Sequence, residues 1–277
     1  MYPTLLKFGT LAFHSYAIFL SLGFLTAVFL IVRQNYRDPN PAPITPLGGL
    51  WVFLGGFFGA RLYFVMQYES IDLWYKAFYL WSGGLVFYGG AIGGFLGGLI
   101  YLLIVRAPVV QVADLSISFV PLAHAIARVG CFLNGCCWGS PTIMPWGVKY
   151  PAGSMPFNDQ VSDGLIASSA ASSLPAHPTQ LYETAGLLVI FVLLRMFHKR
   201  PHPPGSILLA YLFCYGTHRF IVEAFRGDSG RHLFDMTVSQ WVAVGMVATS
   251  VLLALLLRVS VWRKLPAEGG PAEARAV

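Results

Sequence analysis

The chain alternates long apolar blocks with short polar or Gly/Pro-rich breaks. A helix needs about 20 apolar residues to cross a bilayer. Seven blocks come near that length: 11–32, 47–66, 84–105, 112–133, 181–197, 207–225 and 238–257. The pattern therefore predicts an all-α polytopic membrane protein of seven transmembrane helices. Residues 1–137 hold the first four helices and 177–257 the last three. Between them, residues 138–176 are rich in Ser, Pro and Gly and poor in charge. A connection that long is usually functional or unstructured. WGVKY at 146–150 reads as a short strand, so a small extracytoplasmic lobe is expected there. Residues 258–277 form a cytoplasmic tail, expected to be disordered from Pro266 onward.

Composition supports the membrane assignment. Hydrophobic residues make up 56% of the chain and charged ones 11%, with a mean hydropathy of +0.64; an ordinary soluble domain carries about 25% charged residues. The formal charge of +6 lies mostly in loops, so it reports topology and not nucleic-acid binding. Arg33, Arg37, Arg106, Lys199, Arg200, Arg258, Arg263, Lys264 and Arg275 follow the odd-numbered spans, whereas Lys7, Lys76, Lys149, Arg226 and Arg231 fall on the other side. The richer side is cytoplasmic, which puts the N-terminus outside and the C-terminus inside. The first apolar run, with only Lys7 before it, is long enough to span and does not read as a cleaved signal peptide.

Spans two and three are lined with glycine. Gly55 and Gly59 are four apart, as are Gly89, Gly93 and Gly97, with Gly90, Gly94 and Gly98 beside them. Such ridges let helices approach closely in lipid. Close packing is the expected role, and a glycine-lined lipid groove the sharper alternative.

Ionisable groups at membrane depth are costly and mark pathways or binding sites. Here they gather at one level. Tyr16, Arg61 and Tyr88 sit near the outer ends of the first three spans. Arg128 and Asn134 end the fourth. His177, Gln180 and Glu183 open the fifth, and His218, Arg219, Glu223 and Arg226 close the sixth. Together they predict one polar cavity at the outer leaflet. His124, Arg128 and Cys131 share one helical stripe, and Tyr215, Arg219, Glu223 and Arg226 another. Glu223 is within reach of both Arg219 and Arg226. It either locks the bundle as a structural ion pair or holds an arginine toward a ligand. Inward guanidiniums beside the helix exit at Gly135, Gly139 and Pro141 suit a phosphate. Pro178 fits a first helical turn, with Glu183 placed against that helix N-terminus. Asp114 is expected to serve a helix start, and His14 and His124 are expected to be structural.

Cys131, Cys136, Cys137 and Cys214 are too few and too clustered for a disulfide scaffold. In continuous helix, Cys131 and Cys136 would stand about 8–9 Å apart at Cα, too far for a disulfide. A break at Gly135 would bring them together. C-x4-C-C is not a recognised zinc spacing, and packing beside the cavity is the expected role, with no metal.

Residues 127–139 read ARVGCFLNGCCWG. The segment resembles the signature of the prolipoprotein diacylglyceryl transferase family, roughly GR-x-G-N-F-x-N-x-E-x-x-G. Arg128, Gly130, Phe132, Asn134 and Gly139 match it. HSYAI at 14–18, GARLYFV at 59–65, YGGAIGG at 88–94, HPTQLYE at 177–183 and YGTHRFIVEAFR at 215–226 extend the likeness over about residues 15–244. Cys131 stands where the family usually has asparagine, Cys136 where it has glutamate, and Tyr88 where many members have a histidine.

The resemblance implies transfer of an sn-1,2-diacylglyceryl group from phosphatidylglycerol to the lipobox cysteine of a prolipoprotein signal peptide, releasing glycerol 1-phosphate. It implies a multi-pass enzyme of the bacterial cytoplasmic membrane, working among membrane lipids as a monomer without a cofactor. Arg128, Arg219, Tyr88 and Glu223 are the catalytic candidates. Tyr16, Arg61, Asn134, Gly139, His177, Gln180, Glu183 and Arg226 are the substrate-binding ones. The alternatives are a diverged paralogue acting on another lipid or acceptor, a membrane thiol oxidoreductase using Cys131, Cys136 and Cys137, or a transporter. The polar groups gather at one leaflet, against a transport path, and C-x4-C-C fits a redox pair poorly.

Overall fold

The computed structural model of the chain describes residues 1–8, 11–68, 75, 84, 86–228 and 235–264. Lys76, Arg231 and the tail from Pro266 lie outside the described residues. A two-stranded antiparallel hairpin, β1 (Thr4–Phe8) and β2 (Leu11–His14), comes first. Among the described residues nine helices follow: α1 (Ser15–Asn35), α2 (Leu47–Tyr68), α3 (Phe87–Ile104), α4 (Val109–Ile117), α5 (Val120–Asn134), α6 (Met155–Ser162), α7 (Thr179–His198), α8 (Ser206–Glu223) and α9 (Val238–Lys264).

The apolar blocks became helices, with two departures. Residues 11–14, expected to begin the first span, are β2. The hairpin is tied down by Tyr2 N, which donates to Leu133 O at 3.0 Å, and by Ser15 N, which donates to Pro3 O at 3.0 Å. The expected fourth span is broken into α4 and α5, bent by 41°. Pro121 in the first turn of α5 explains the break, because proline removes a helical donor and its ring clashes with the carbonyl four residues back. Among the described residues four helices are long and apolar enough to cross a membrane, Ser15–Asn35, Leu47–Tyr68, Thr179–His198 and Val238–Leu256, and the bent pair makes a fifth if it is counted as one span. By the same measure α3 is short, and α8, which carries Arg219 and Glu223, is not among them.

Each end of the bundle is held by polar contacts. At one end, Asp114 accepts from Gly205 N at 2.6 Å and Leu208 N at 2.9 Å. It serves a helix start as expected, but that of α8 and not its own. Arg195 of α7 donates to Ser118 Oγ at 3.0 Å and to Gln34 Oε1 at 3.3 Å, joining α7 to the α4–α5 break and α1. At the other end lie the hairpin, the close of α5, the starts of α7 and α9, and the 138–176 connection. WGVKY forms an isolated bridge and not a strand: Val148 pairs with Ala176, and Pro151, just after the segment, pairs with Ser172. Helix α6 and the Gln160 side chain, which accepts from Leu174 N at 2.7 Å, complete an ordered lobe.

The two glycine ridges differ. A β-carbon on Gly93 would collide with Gly55 O and stand 2.9 Å from Gly59 Cα, and one on Gly59 would collide with Gly89 O. On Gly94 it would meet nothing nearer than Val52 O, at 3.4 Å. So Gly55, Gly59, Gly89 and Gly93 form the packing seam, as the spacing predicted. The outer side of that seam also forms an apolar groove of about 540 Å³ bordered by Trp51, Phe58, Tyr63, Ile92 and Leu96.

The seam predicts a contrast. Gly93→Ala should cost about 1–3 kcal/mol of stability by overpacking, while Gly94→Ala should be neutral or gain up to about 1 kcal/mol from helix propensity. Thermal unfolding of the two variants in detergent micelles checks this, and equal midpoints would refute the seam.

Candidate functional site

The strongest polar feature is a buried carboxylate between two arginines. Glu183, in the second turn of α7, is 1% exposed. Arg128 Nε of α5 stands 2.8 Å from its Oε2, and Arg219 Nη1 of α8 lies 3.1 Å from its Oε1. Arg219 continues the chain: its Nη2 is 2.6 Å from Glu223 Oε2 and donates to Ser239 Oγ at 3.1 Å. Glu223 also accepts from Thr237 Oγ1 at 2.9 Å and stands 3.8 Å from Arg226 Nε. Arg226 is forked onto Asp228 at 2.9 and 2.7 Å. Ion pairs therefore run from α5 through α7 and α8 to the start of α9.

The stripes read from sequence supply these groups, but the roles differ in one respect. Glu183 does not sit against the α7 N-terminus. It lies beyond the first turn, and its carboxylate turns to two guanidiniums, because a buried charge needs an ionic partner more than a dipole. Glu223 holds Arg219 and Arg226 as expected. His124, expected to be structural, accepts from Arg128 Nε at 3.1 Å, and its ring lies 5.7 Å from that of Tyr215.

A tight turn closes the site. Gly135 caps α5 with φ 82°, and Cys137 also has a positive φ of 60°. The turn's carbonyls are claimed by α7: Gln180 Nε2 donates to Cys136 O at 2.7 Å and Thr179 Oγ1 to Cys137 O at 2.7 Å. Gly139 N donates to His177 O at 3.0 Å, and Ser140 N to Phe225 O at 2.9 Å. A β-carbon on Gly139 would stand 2.5 Å from His177 O and 2.7 Å from Phe225 O, so three segments meet there only because residue 139 has no side chain. His177 Nδ1 is 3.1 Å from the Tyr182 hydroxyl, which also accepts from Trp146 Nε1 of the lobe at 2.7 Å.

Gly135 makes the break that brings the cysteines together. The sulfurs of Cys131, Cys136 and Cys137 lie within 4.8 Å of one another, and all are free thiols. Hydrogen bonds from Cys131 and Cys136, helped by Arg128 and Arg226, hold the Cys137 thiol below the ordinary thiol range.

Not every expected residue joins. Asn134 ends α5 beside the turn, and the Tyr16 backbone packs against Gly130, two residues from Arg128. Arg61 and Tyr88 belong to the α2–α3 pair. Arg61 is 2% exposed, donates to Gly84 O at 3.3 Å and lies 5.3 Å over the Phe64 ring. Tyr88 is 57% exposed. Ser239 and Thr237 were missed. The sequence signal for Thr237 was a capping box, since Thr237 N donates to Gln240 Oε1 at 3.0 Å and Gln240 N to Thr237 Oγ1 at 3.2 Å. His218, grouped earlier with the outer polar residues, presses on Gly186 and leaves Nε2 buried with no hydrogen-bond partner among the described residues.

Comparison with known proteins gives one consistent result. The family model described as prolipoprotein diacylglyceryl transferase matches residues 3–256. The phosphatidylglycerol–prolipoprotein diacylglyceryl transferase of Sodalis glossinidius is 32% identical over 267 residues, 91% of each chain. That of Bordetella parapertussis is 33% identical over 259 residues, covering 88% of this chain and 91% of its own. That of Mannheimia succiniciproducens is 29% identical over 271 residues, covering 95% and 93%.

The ion-pair geometry sets an order of stability losses. Glu183→Ala should cost about 3–5 kcal/mol, because it strands two buried guanidiniums. Asp228→Ala, at the more exposed end of the chain, should cost under about 1 kcal/mol. Chemical denaturation of the purified protein reads both, and similar losses would show that Glu183 is not the centre of the network.

Proposed function

The chain belongs to the prolipoprotein diacylglyceryl transferase family, and on that premise we propose that it transfers the sn-1,2-diacylglyceryl group of phosphatidylglycerol to a prolipoprotein's lipobox cysteine. The cysteine thiolate attacks the glyceryl carbon bonded to the phosphate oxygen. A C–S bond forms and the C–O bond breaks. Its electron pair leaves with the phosphate as glycerol 1-phosphate, and the thiol proton passes to solvent or to the leaving group. The pair of arginines around Glu183 carries this reading.

Negative charge builds on the departing phosphate, so donors fixed beforehand lower the barrier. Arg128 meets Glu183 and His124 through Nε, and in this reading the rest of its guanidinium is the part that grips the phosphate. Arg219 is fixed by Glu183, Glu223 and Ser239 and supplies the second positive group. The same field favours thiolate over thiol in the acceptor. Glu223 is already engaged by Arg219 and Thr237, so its part is to hold Arg219 and not to remove a proton. Tyr88, exposed on α3, faces the reaction only if the lipid passes along the α2–α3 pair. Gln180, His177, Asn134 and Gly139 shape the turn and lobe beside the arginines, where the signal peptide would lie.

The topology proposed with this reaction is seven crossings, counting α4–α5 as one and including α3 and α8. The N-terminus, the lobe and the arginine cluster face outward from the bacterial cytoplasmic membrane. Its support is the run of Arg and Lys beside the other end, after α1, α3 and α7.

Arg128→Lys and Arg219→Lys should each lower turnover by about 10²-fold or more, with a smaller effect on lipid affinity. Ammonium lacks the planar fork that grips two phosphate oxygens. The assay is transfer from labelled phosphatidylglycerol to a lipobox peptide. Near-normal turnover in both variants would refute the arginine clamp, and no transfer by the unaltered protein from any phospholipid would refute the reaction.

A further inference from the structure

The transfer reaction makes no use of three thiols packed side by side. We propose that Cys131, Cys136 and Cys137 form a trigonal three-thiolate site for a soft d10 cation, copper(I), at the turn that closes α5. The sulfurs lie within 4.8 Å of one another. A metal–thiolate bond of about 2.3 Å requires sulfurs about 4 Å apart around a trigonal ion, so closure needs a shift of under about 1 Å per pair. Among the described residues no histidine or carboxylate joins the group. Zinc prefers four ligands, whereas three thiolates satisfy copper(I), and thiolate softness selects it over harder cations.

Two further features fit a built site. Cys137 is a non-glycine residue held at φ 60°, an uncommon backbone state that persists where the surroundings fix it. Its carbonyl is anchored by Thr179 and that of Cys136 by Gln180, so the turn presenting two of the sulfurs is clamped to α7. Three thiolates around one monovalent cation carry a net charge of −2, and the Arg128 and Arg226 guanidiniums act on Cys137 while remaining paired with Glu183 and Asp228. Loading replaces the thiol protons with the metal and releases them, without any change of oxidation state. The thioether of Met1 lies over Gly135, with its sulfur 2.6 Å from where a β-carbon there would stand, which adds a soft group to the surroundings.

The test uses the full-length protein in detergent micelles, reduced and without oxygen. Copper(I) is delivered from its bathocuproine disulfonate complex. The expected result is one copper retained per chain, with X-ray absorption showing three sulfur scatterers. Cys136→Ser and Cys137→Ser should each weaken retention by at least about tenfold, a loss that even outer-sphere changes cause at metal sites, while Cys214→Ser should not. Should a variant fail to fold, the unaltered protein gives an independent reading. Copper(I) should protect the three thiols, but not Cys214, from alkylation followed by mass spectrometry. The proposal is overturned if the chelator keeps the copper, if fewer than three sulfurs surround it, if zinc is retained in its place, or if alkylation is unchanged. None of these measurements depends on diacylglyceryl transfer, so they stand or fall apart from the reaction.

Discussion

A carboxylate sealed from solvent cannot remain charged alone, and Glu183 meets that constraint by taking one guanidinium from each side. Removing two arginines and a glutamate from water is expensive, and the attraction among them repays it only when geometry and hydrogen bonding are good. The rest of that end of the bundle serves those conditions. Arg128 is steadied by His124, and Arg219 by Ser239 and Glu223. Glu223 is in turn satisfied by Thr237. Helices α5, α7, α8 and α9 are thus locked in register at that level by charge, where lipid supplies no hydrophobic drive to hold helices together.

The same end must also satisfy an irregular backbone. Where α5 stops at Gly135, the carbonyls of Cys136 and Cys137 lose helical partners, and unpaired polar groups at membrane depth cost several kcal/mol each. Gln180 and Thr179 accept that burden from the first turn of α7, three or four residues before Glu183. The first two turns of α7 therefore fix both the arginines and the turn beside them. The lobe is coupled to it through Tyr182, which receives Trp146 and meets His177. A peptide docking against the lobe would thus press on the element that sets the guanidinium positions.

Much of this was legible in the sequence, and the failures have physical causes. The apolar blocks of α2 and α7 located those helices to within a few residues, and that of α9 located its start, because length and hydropathy alone decide a lipid-facing helix. The Gly55–Gly93 seam followed from four-residue spacing. The break at Pro121 was written in the chain, but a hydropathy window averages a single proline away. Residues 11–14 looked helical because a strand and a helix draw on the same apolar residues in so short a stretch. At the site, helical spacing predicted that Glu223 would meet Arg219 and Arg226. It could not predict that Glu183 meets Arg128 and Arg219, since those contacts join three helices distant in sequence. Level along the membrane was also a weaker guide than it looked. Arg61 and Tyr88 were expected at the level of the cluster but belong to the α2–α3 pair.

Charge balance constrains how such a cluster can receive an anion. Arg128, Arg219 and Arg226 face Glu183, Glu223 and Asp228, so the described cluster carries no net excess of positive charge. A phosphate cannot be drawn in by a bare cationic pocket; it must bind guanidinium edges that the carboxylates leave open. Glu183 meets Arg128 at Nε and so fixes the direction of the rest of that guanidinium, and a planar fork loses little freedom in that role, whereas both Nη groups of Arg219 are engaged by Glu183, Glu223 and Ser239. The arrangement gives up ground-state attraction for orientation. In the proposed transfer it would act most strongly on the species whose oxygens match the fork and carry the most charge, the departing phosphate and not the intact diester.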